Sequence, residues 1–320
     1  MKSTKQTITT NQAGDILLSK RDIALFAHTN PDGDTIGSCV ALCLALQKLG
    51  KNVRIFCDTK IDDKLAIFEE TKYISNSFTG KYDLLVAVDC GDIFRVGQWS
   101  GNYNSFSETM TIDHHGGEYY SKYNLLTKQA STCQIVYDII KYLGVDIESK
   151  IATYLYMGLC TDTGNFANTN TDEQCFLMAA QMYKKGADIQ KIVRVFFKDT
   201  SLAETKLLAR VLNRMRTYYD NKLVLLYVTK QDLDEFGLDL SSTSMLVPNA
   251  VNIDVAQVGV CVSEYSANTY KVSMRSKGFN VREVCQYFGG GGHIVASGCM
   301  ISGFLEDVIE KIVRVIGYTI

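Results

Sequence analysis

With 320 residues, 46% hydrophobic and 21% charged, the chain is long enough for about two domains of roughly 150 residues each and for a core without staples. A net charge of −2 excludes a global basic field for long nucleic acid, while a local basic patch stays open. No apolar run reaches the length that crosses a bilayer, so no membrane association is expected.

In chain order, the N-terminal stretch MKSTKQTITTNQAGDILLSK lacks the apolar centre of a signal peptide, which points to a cytoplasmic protein. Short β-branched runs follow: IALFAH, VRIFCD, LLVAVDC and MTIDHH. Helix-period segments separate them. DTIGSCVALCLALQKLG stops at Gly50, and STCQIVYDIIKYLG stops at Gly144, both suited to a position just past a helix end. Strands alternating with helices predict a mostly parallel sheet with helices on both faces. Three of these strands end in the residues of interest: His28, Asp89 and the group Asp113, His114, His115. In open α/β sheets, sites form at the carboxyl ends of strands.

From 148 to 218 the pattern is mostly helical. TDEQ at 171–174 and SLAE at 201–204 read as capping boxes. After that the texture changes. KLVLLYVTK, VAQVGVCVSEYSANTYKVSMRS and CMISGF read as strands, with a hairpin tip near Ala267 and Asn268. VREVCQYF and FLEDVIEKIVRVI read as helices. The expected organisation is α/β in two domains, 1–187 and a smaller 219–320, joined by a helical connector at 188–218.

Ten cysteines lie mostly inside apolar runs, with no CxxC pair and no paired zinc spacing. They read as buried, reduced thiols in a reducing compartment. The four histidines are different, because each stands beside aspartates or a glycine run. His28, Asp32 and Asp34 share the turn HTNPDGDTIGS, where Asn30-Pro31-Asp32-Gly33 supplies the bend. Asp34 alone reads equally as a helix N-cap. Asp89 ends an apolar strand, where a carboxylate is costly unless it is paired or binds metal. Asp92, three residues on, reads as a solvated turn residue. His114 follows Asp113 and precedes His115 and two glycines. Asp162, in MGLCTDTGNF, is equally a cap or turn residue by itself. Together His28, Asp32, Asp34, Asp89, His114 and Asp162 form an oxygen-rich set without thiolate. It suits two Mn²⁺ or Mg²⁺ ions better than structural zinc.

HTNPDGDTIGS, VDCGD, IDHH and TDTGNF, in that order, resemble the four motifs of the DHH phosphoesterase family. FGGGGHIVASG, preceded by VSMRSKGFNVREV, resembles the signature of that family's associated C-terminal domain. The match spans residue 23 to about residue 300, and length and layout are similar to the nanoRNase and pAp phosphatase group. Members fused to sensory or membrane segments carry many more residues before the first motif. The resemblance implies that His28 and Asp32 hold one metal, that Asp34 and His114 hold the other, and that Asp89 and Asp162 bridge or sit between them. It implies that Asp113 orients the histidine pair and that His115 lies near the leaving oxygen. It also implies that Arg275, Gly291, Gly292 and His293 grip the nucleotide, with the active-site cleft between the domains. Two features depart from the pattern. Phe166 follows TDTG without a nearby cation, and Ser297 stands where a small apolar residue is common.

The implied activity is Mn²⁺-dependent hydrolysis of short RNA and of 3′-phosphoadenosine 5′-phosphate (pAp). Phosphodiesterase action on linear or cyclic dinucleotides is the alternative, and a catalytically inactive nucleotide-binding regulator ranks below it. A family II pyrophosphatase lacks the GGGGH segment, and a long-strand exonuclease needs a further binding domain. Substrates of a few nucleotides are expected rather than long nucleic acid. A homodimer is compatible with the sequence and not required by it.

Overall fold

The computed structural model describes residues 5–117 and 119–318. The chain divides into two compact units, Met1–Asp199 and Thr200–Ile320. The stretch expected as a connector is shared between them. Helix Ile189–Val193 and the π-helical turn Arg194–Lys198 close the first unit, and helix Leu202–Asn213 opens the second. That last helix starts with the expected box: Ser201 accepts from Glu204 N at 3.1 Å, and Ser201 N donates to the Glu204 carboxylate at 2.8 Å. The other box is displaced by one residue. Asp172, not Thr171, caps helix Glu173–Lys184, accepting from Cys175 N at 3.0 Å. A carboxylate near a helix N-terminus also gains from the dipole, which a hydroxyl does not.

The first unit is built on six parallel strands: β1 (Gln6–Thr7), β2 (Asp22–Phe26), β3 (Asn52–Phe56), β4 (Leu84–Val88), β5 (Thr109–Asp113) and β6 (Tyr123–Leu126). Their order across the sheet is β1-β6-β5-β4-β2-β3. β1 and β6 escape the sequence reading because two residues and a four-residue YNLL are too short to show a period. β4, at the centre, is buried at all five positions, as expected for a strand covered on both faces. On one face lie helices Thr10–Ser19, Gly33–Lys48, Thr132–Tyr142 and Ser149–Asp162, packed on Ile23, Leu25, Val86 and Ile112. The other face is covered by the 3₁₀ helix Ile93–Trp99 and the short helix Ser100–Ser105. There Phe26, Phe56, Phe78, Trp99 and Tyr103 pack ring against ring. Such pairs add about 0.5–1.5 kcal/mol each beyond area burial, so aromatic density compensates for the missing long helices.

This strand order positions the site. The chain runs from β2 outward to β3, then returns to the other side of β2 as β4. The crevice at the carboxyl ends of β2 and β4 is therefore the topological switch point. His28 follows β2 by two residues, Asp89 follows β4 directly, and Asp113 ends β5, the next strand over. Neighbouring strands are ~4.8 Å apart, so these side chains arrive side by side.

Two helices seal the crevice from below by close approach. Gly158, in Ser149–Asp162, has no room for a Cβ, which would collide with Cys133 Sγ and Asp34 Oδ1 and sit 3.0 Å from Asp34 Cα. Gly37, in Gly33–Lys48, would put one against the Tyr154 carbonyl oxygen. The two glycines let the helix carrying Asp34 lie directly on the helix carrying Asp162.

The second unit has a mixed sheet of β7 (Arg216–Tyr218), β8 (Leu223–Val228), β9 (Val258–Ser266), β10 (Thr269–Ser276), β11 (Gly291–His293) and β12 (Ala296–Ser302), in the order β11-β12-β10-β9-β8-β7. Only β8 and β9 run parallel. The β9–β10 hairpin turns at Asn268, whose φ of 58° is the left-handed geometry that asparagine tolerates. Helices Val281–Tyr287 and Leu305–Gly317 cover one face. Leu202–Asn213, Lys230–Phe236 and Leu246–Val251 cover the other face over β8 and β9. No helix among the described residues is long and apolar enough to cross a membrane.

Candidate metal centre

The turn after β2 works differently from its first reading. Asp32, not Asp34, is the N-cap of Gly33–Lys48, accepting from Asp34 N at 3.0 Å and Thr35 N at 3.1 Å. Asp34 lies inside the first turn, fully buried, and its carboxylate points across to another helix. It accepts from Thr132 N at 2.6 Å and Cys133 N at 3.0 Å, the free N–H groups that begin Thr132–Tyr142. Asp89 has a φ of 60°, a left-handed conformation that costs an L-residue about 1 kcal/mol or more and recurs at functional sites. Its carboxylate accepts from Thr132 Oγ1 at 2.9 Å. Thr35 ties the two strand tips together, accepting from His28 N at 3.2 Å and donating to the Val88 carbonyl at 3.0 Å.

The histidine rings define the chemistry. His28 Nδ1 donates to the Thr29 carbonyl at 2.9 Å, and His114 Nδ1 donates to the Gln129 carbonyl at 3.2 Å. A carbonyl only accepts, so each Nδ1 carries a proton and each ring turns its Nε2 inward. Both Nε2 atoms are buried without a hydrogen-bond partner among the described residues. His28 Nε2 lies 3.5 Å from Asp32 Oδ2 and 3.6 Å from Asp89 Oδ2. His114 Nε2 lies 3.2 Å from Asp162 Oδ2, 3.6 Å from Asp89 Oδ1 and 3.9 Å from Asp34 Oδ2. A cation standing among these atoms would take imidazole nitrogen and carboxylate oxygen together as ligands.

Three groups of ligand atoms, each within 4.8 Å, result: His28, Asp32 and Asp89; Asp34, His114 and Asp162; and Asp89, Asp113, His114 and His115. Asp89 belongs to two of them, with Oδ2 turned to His28 and Oδ1 to His114. Asp162 joins the group of Asp34 and His114. Burial and the neighbouring Asp89 and Asp162 charges push the Asp34 carboxyl well above the usual range. Burial and the charges of Asp32 and Asp113 raise Asp89, and burial with Asp89 and Asp32 pushes Asp162 up to about 8. Such crowding is what divalent cations relieve. The residues fit the metal pair that the resemblance implies. Thiols do not compete: Cys90 Sγ faces the Phe26 and Val88 carbonyls, and Cys133 Sγ faces those of Asp34 and Tyr154. All ten cysteines are buried and free.

His115 is half exposed, and its ring Nδ1 donates to Asp113 Oδ1 at 2.8 Å. That hydrogen bond raises its pKa above the ordinary imidazole value. Asp92 is the solvated turn residue expected, accepting from Phe94 N at 2.8 Å. Phe166 stacks on Phe176 with centroids 5.3 Å apart. The sequence reading missed Thr132, Thr35 and Gln129. The signal for Thr132 was a Ser-Thr pair just before an apolar helical run, where side chains and free N–H groups meet.

In the second unit, Arg275 on β10 pairs in register with Ala296, and Ala296 with His293. The next row of the same face is Ser273, Gly298 and Gly291. Cross-strand partners share a face, so Arg275 and His293 stand above a floor of small residues. The glycine run differs from a loop at a helix mouth. It follows the carboxyl end of Val281–Tyr287, where Gly289, at φ 75°, donates to the Gln286 carbonyl and Gly290 to that of Cys285. Helix-dipole attraction for phosphate is therefore absent there, since that end is negative. Gly292, at φ 139°, would drive a Cβ to 2.6 Å from the Ala296 carbonyl oxygen, whereas Gly291 has open space. Ser297 Oγ donates to the His293 carbonyl at 2.6 Å and pins the hairpin, a role an apolar residue lacks.

Residues 22–159 match the DHH family, N-terminal domain, and residues 192–320 match the DHHA1 domain. The chain is 28% identical over 309 residues to a bifunctional oligoribonuclease and PAP phosphatase NrnA of Mycoplasma genitalium, covering 92% of this chain and 94% of that one. It is 28% identical over 305 residues to the NrnA of Thermus thermophilus, covering 92% and 89%. Among solved structures, an exopolyphosphatase-related protein from Bacteroides fragilis superimposes with a TM-score of 0.87 at 23% identity, covering 97% and 96%, which shows a common fold.

Proposed function

Because the chain belongs to the DHH family and carries a DHHA1 domain after its Asp and His cluster, we propose that it is a Mn²⁺-dependent hydrolase of short oligoribonucleotides and of pAp. The observation that carries this reading is the pair of buried Nε2 atoms without hydrogen-bond partners, on His28 and His114, facing the shared Asp89 carboxylate. The NrnA relatives, named for both activities, support the substrate class. Two divalent cations at this site supply Lewis acidity toward phosphoryl oxygens and toward water. His28 and Asp32 would hold one, Asp34, His114 and Asp162 would hold the other, and Asp89 would contribute to both. Asp113 fixes the His115 ring, so that its Nε2 is free to protonate the leaving oxygen. Arg275 grips a phosphate bidentately, and Gly291 and Gly292 let the chain approach the nucleotide beside His293. Ten reduced thiols suit the cytoplasm.

Turnover of pAp, pApA, cyclic dinucleotides and RNA of increasing length, side by side with Mn²⁺ at one ionic strength, tests this. pAp and RNA of two to roughly five nucleotides, the scale of a single-strand module's site, are expected to give the highest kcat/KM, with a fall for longer strands. Turnover confined to dinucleotides would shift the reading to a dinucleotide phosphodiesterase. Nucleotide binding without metal-dependent turnover would indicate a regulator.

Arg275→Ala is expected to lower kcat/KM for these nucleotides roughly 10–100-fold, the scale of a charge-assisted pair, with Mn²⁺ affinity unchanged. Calorimetry showing lost Mn²⁺ binding in this variant would refute that division of roles.

A further inference from the structure

We infer that Thr132 is a positioning residue that sets the bridging orientation of Asp89, an inference resting on the two-cation reading above. Thr132 is fully buried and follows β6 at the start of Thr132–Tyr142, so it touches neither solvent nor substrate. It nevertheless contacts both halves of the centre. Its N–H donates to Asp34 Oδ2 at 2.6 Å, and its hydroxyl donates to Asp89 Oδ1 at 2.9 Å. Among the described residues, that is the one hydrogen bond on the Asp89 carboxylate.

The bond decides an orientation. A carboxylate turns about its terminal torsion in a broad, roughly two-fold well, so packing alone holds it loosely. Asp89 must send Oδ2 toward His28, 3.6 Å away, and Oδ1 toward His114, also 3.6 Å away. A donor on Oδ1 fixes the plane of the group, and so fixes both oxygens. Oδ1 has a second lone pair, which remains for a cation. The backbone contributes the rest: Asp89 N donates to the Ile112 carbonyl at 2.9 Å and holds the left-handed turn. Thr132 thus couples the helix start that holds Asp34 to the strand tip that holds Asp89, residues 55 positions apart in the chain.

Thr132→Val removes the hydroxyl at nearly constant volume and keeps the N–H bond to Asp34. Thr132→Ser keeps the hydroxyl. Each full-length variant is to be titrated with Mn²⁺ by calorimetry, melted without metal, and assayed on pAp. Outer partners of metal ligands typically carry 10–100-fold in affinity, and a loss of that size is expected for at least one Mn²⁺ in Thr132→Val, with an apo melting temperature near wild type. Thr132→Ser is expected to restore both Mn²⁺ affinities. Two Mn²⁺ bound with wild-type affinity by Thr132→Val would overturn the inference. So would equal losses of affinity and apo melting temperature in both variants, which would make Thr132 a packing residue. If wild type itself fails to bind two Mn²⁺, the two-cation reading is what falls.

Discussion

Asp89→Asn is expected to reduce turnover about 10³-fold at saturating Mn²⁺, about 4 kcal/mol of barrier. The substitution is narrow. Asparagine tolerates the left-handed backbone that Asp89 adopts at φ 60°. Its amide oxygen can still accept from Thr132, so the shape is kept while the charge shared between two ligand groups is lost. The apo protein is expected to melt no lower than wild type. Burial and the neighbouring Asp32 and Asp113 charges raise the Asp89 pKa, so the ionised carboxylate opposes folding when no cation is bound. That penalty is absent below the unfolded carboxylate pKa and grows as pH rises through the folded value. A neutral amide removes it. Melting with and without Mn²⁺ is the check: wild type gains more from metal than the variant does. Near-normal turnover in Asp89→Asn would refute the bridging assignment.

Gly158→Ala is expected to destabilise the first unit by ~2–3 kcal/mol and to weaken Mn²⁺ binding together with it. The position is helical and buried, so alanine would ordinarily be favoured there by propensity. Packing reverses the sign. The new methyl group meets Cys133 Sγ and Asp34 Oδ1 and lies 3.0 Å from Asp34 Cα, and the last of these is backbone that cannot rotate away. The helix holding Asp34 must shift, and with it the N–H bonds from Thr132 and Cys133. A unit of this size loses roughly 2–4 °C of melting temperature per kcal/mol, so a drop of roughly 4–12 °C should be visible. Gly101→Ala is the control, because nothing lies within 4 Å of its added Cβ and its φ is not left-handed. Equal melting behaviour of the two variants would mean that the seam between the helices tolerates a methyl group.

The sequence by itself determined the class of fold and singled out the candidate ligand residues. His28, Asp89 and Asp113 each follow or end a continuous apolar run, and that pattern is local enough to be read without coordinates. Parallel strands then bring their carboxyl ends to one edge, whatever their order. Tertiary structure alone decided the partnerships. Asp34 taken alone reads equally as a ligand or as a cap for its own helix, yet it is held by N–H groups 98 and 99 residues away, at the start of another helix. The placement of Asp89 between two groups of ligands depends on β4 lying between β2 and β5, a matter of strand order that no local period encodes. The same holds for Gly158, whose need to be glycine comes from a neighbour about 120 residues earlier in the chain rather than from its own backbone. The glycine run at Gly289–Gly292 shows the converse: its composition announced special backbone geometry, but only the structure placed it past a helix end and into the edge strand β11. Propensity and period are properties of neighbours in sequence, whereas register, close approach and shared ligands are properties of neighbours in space.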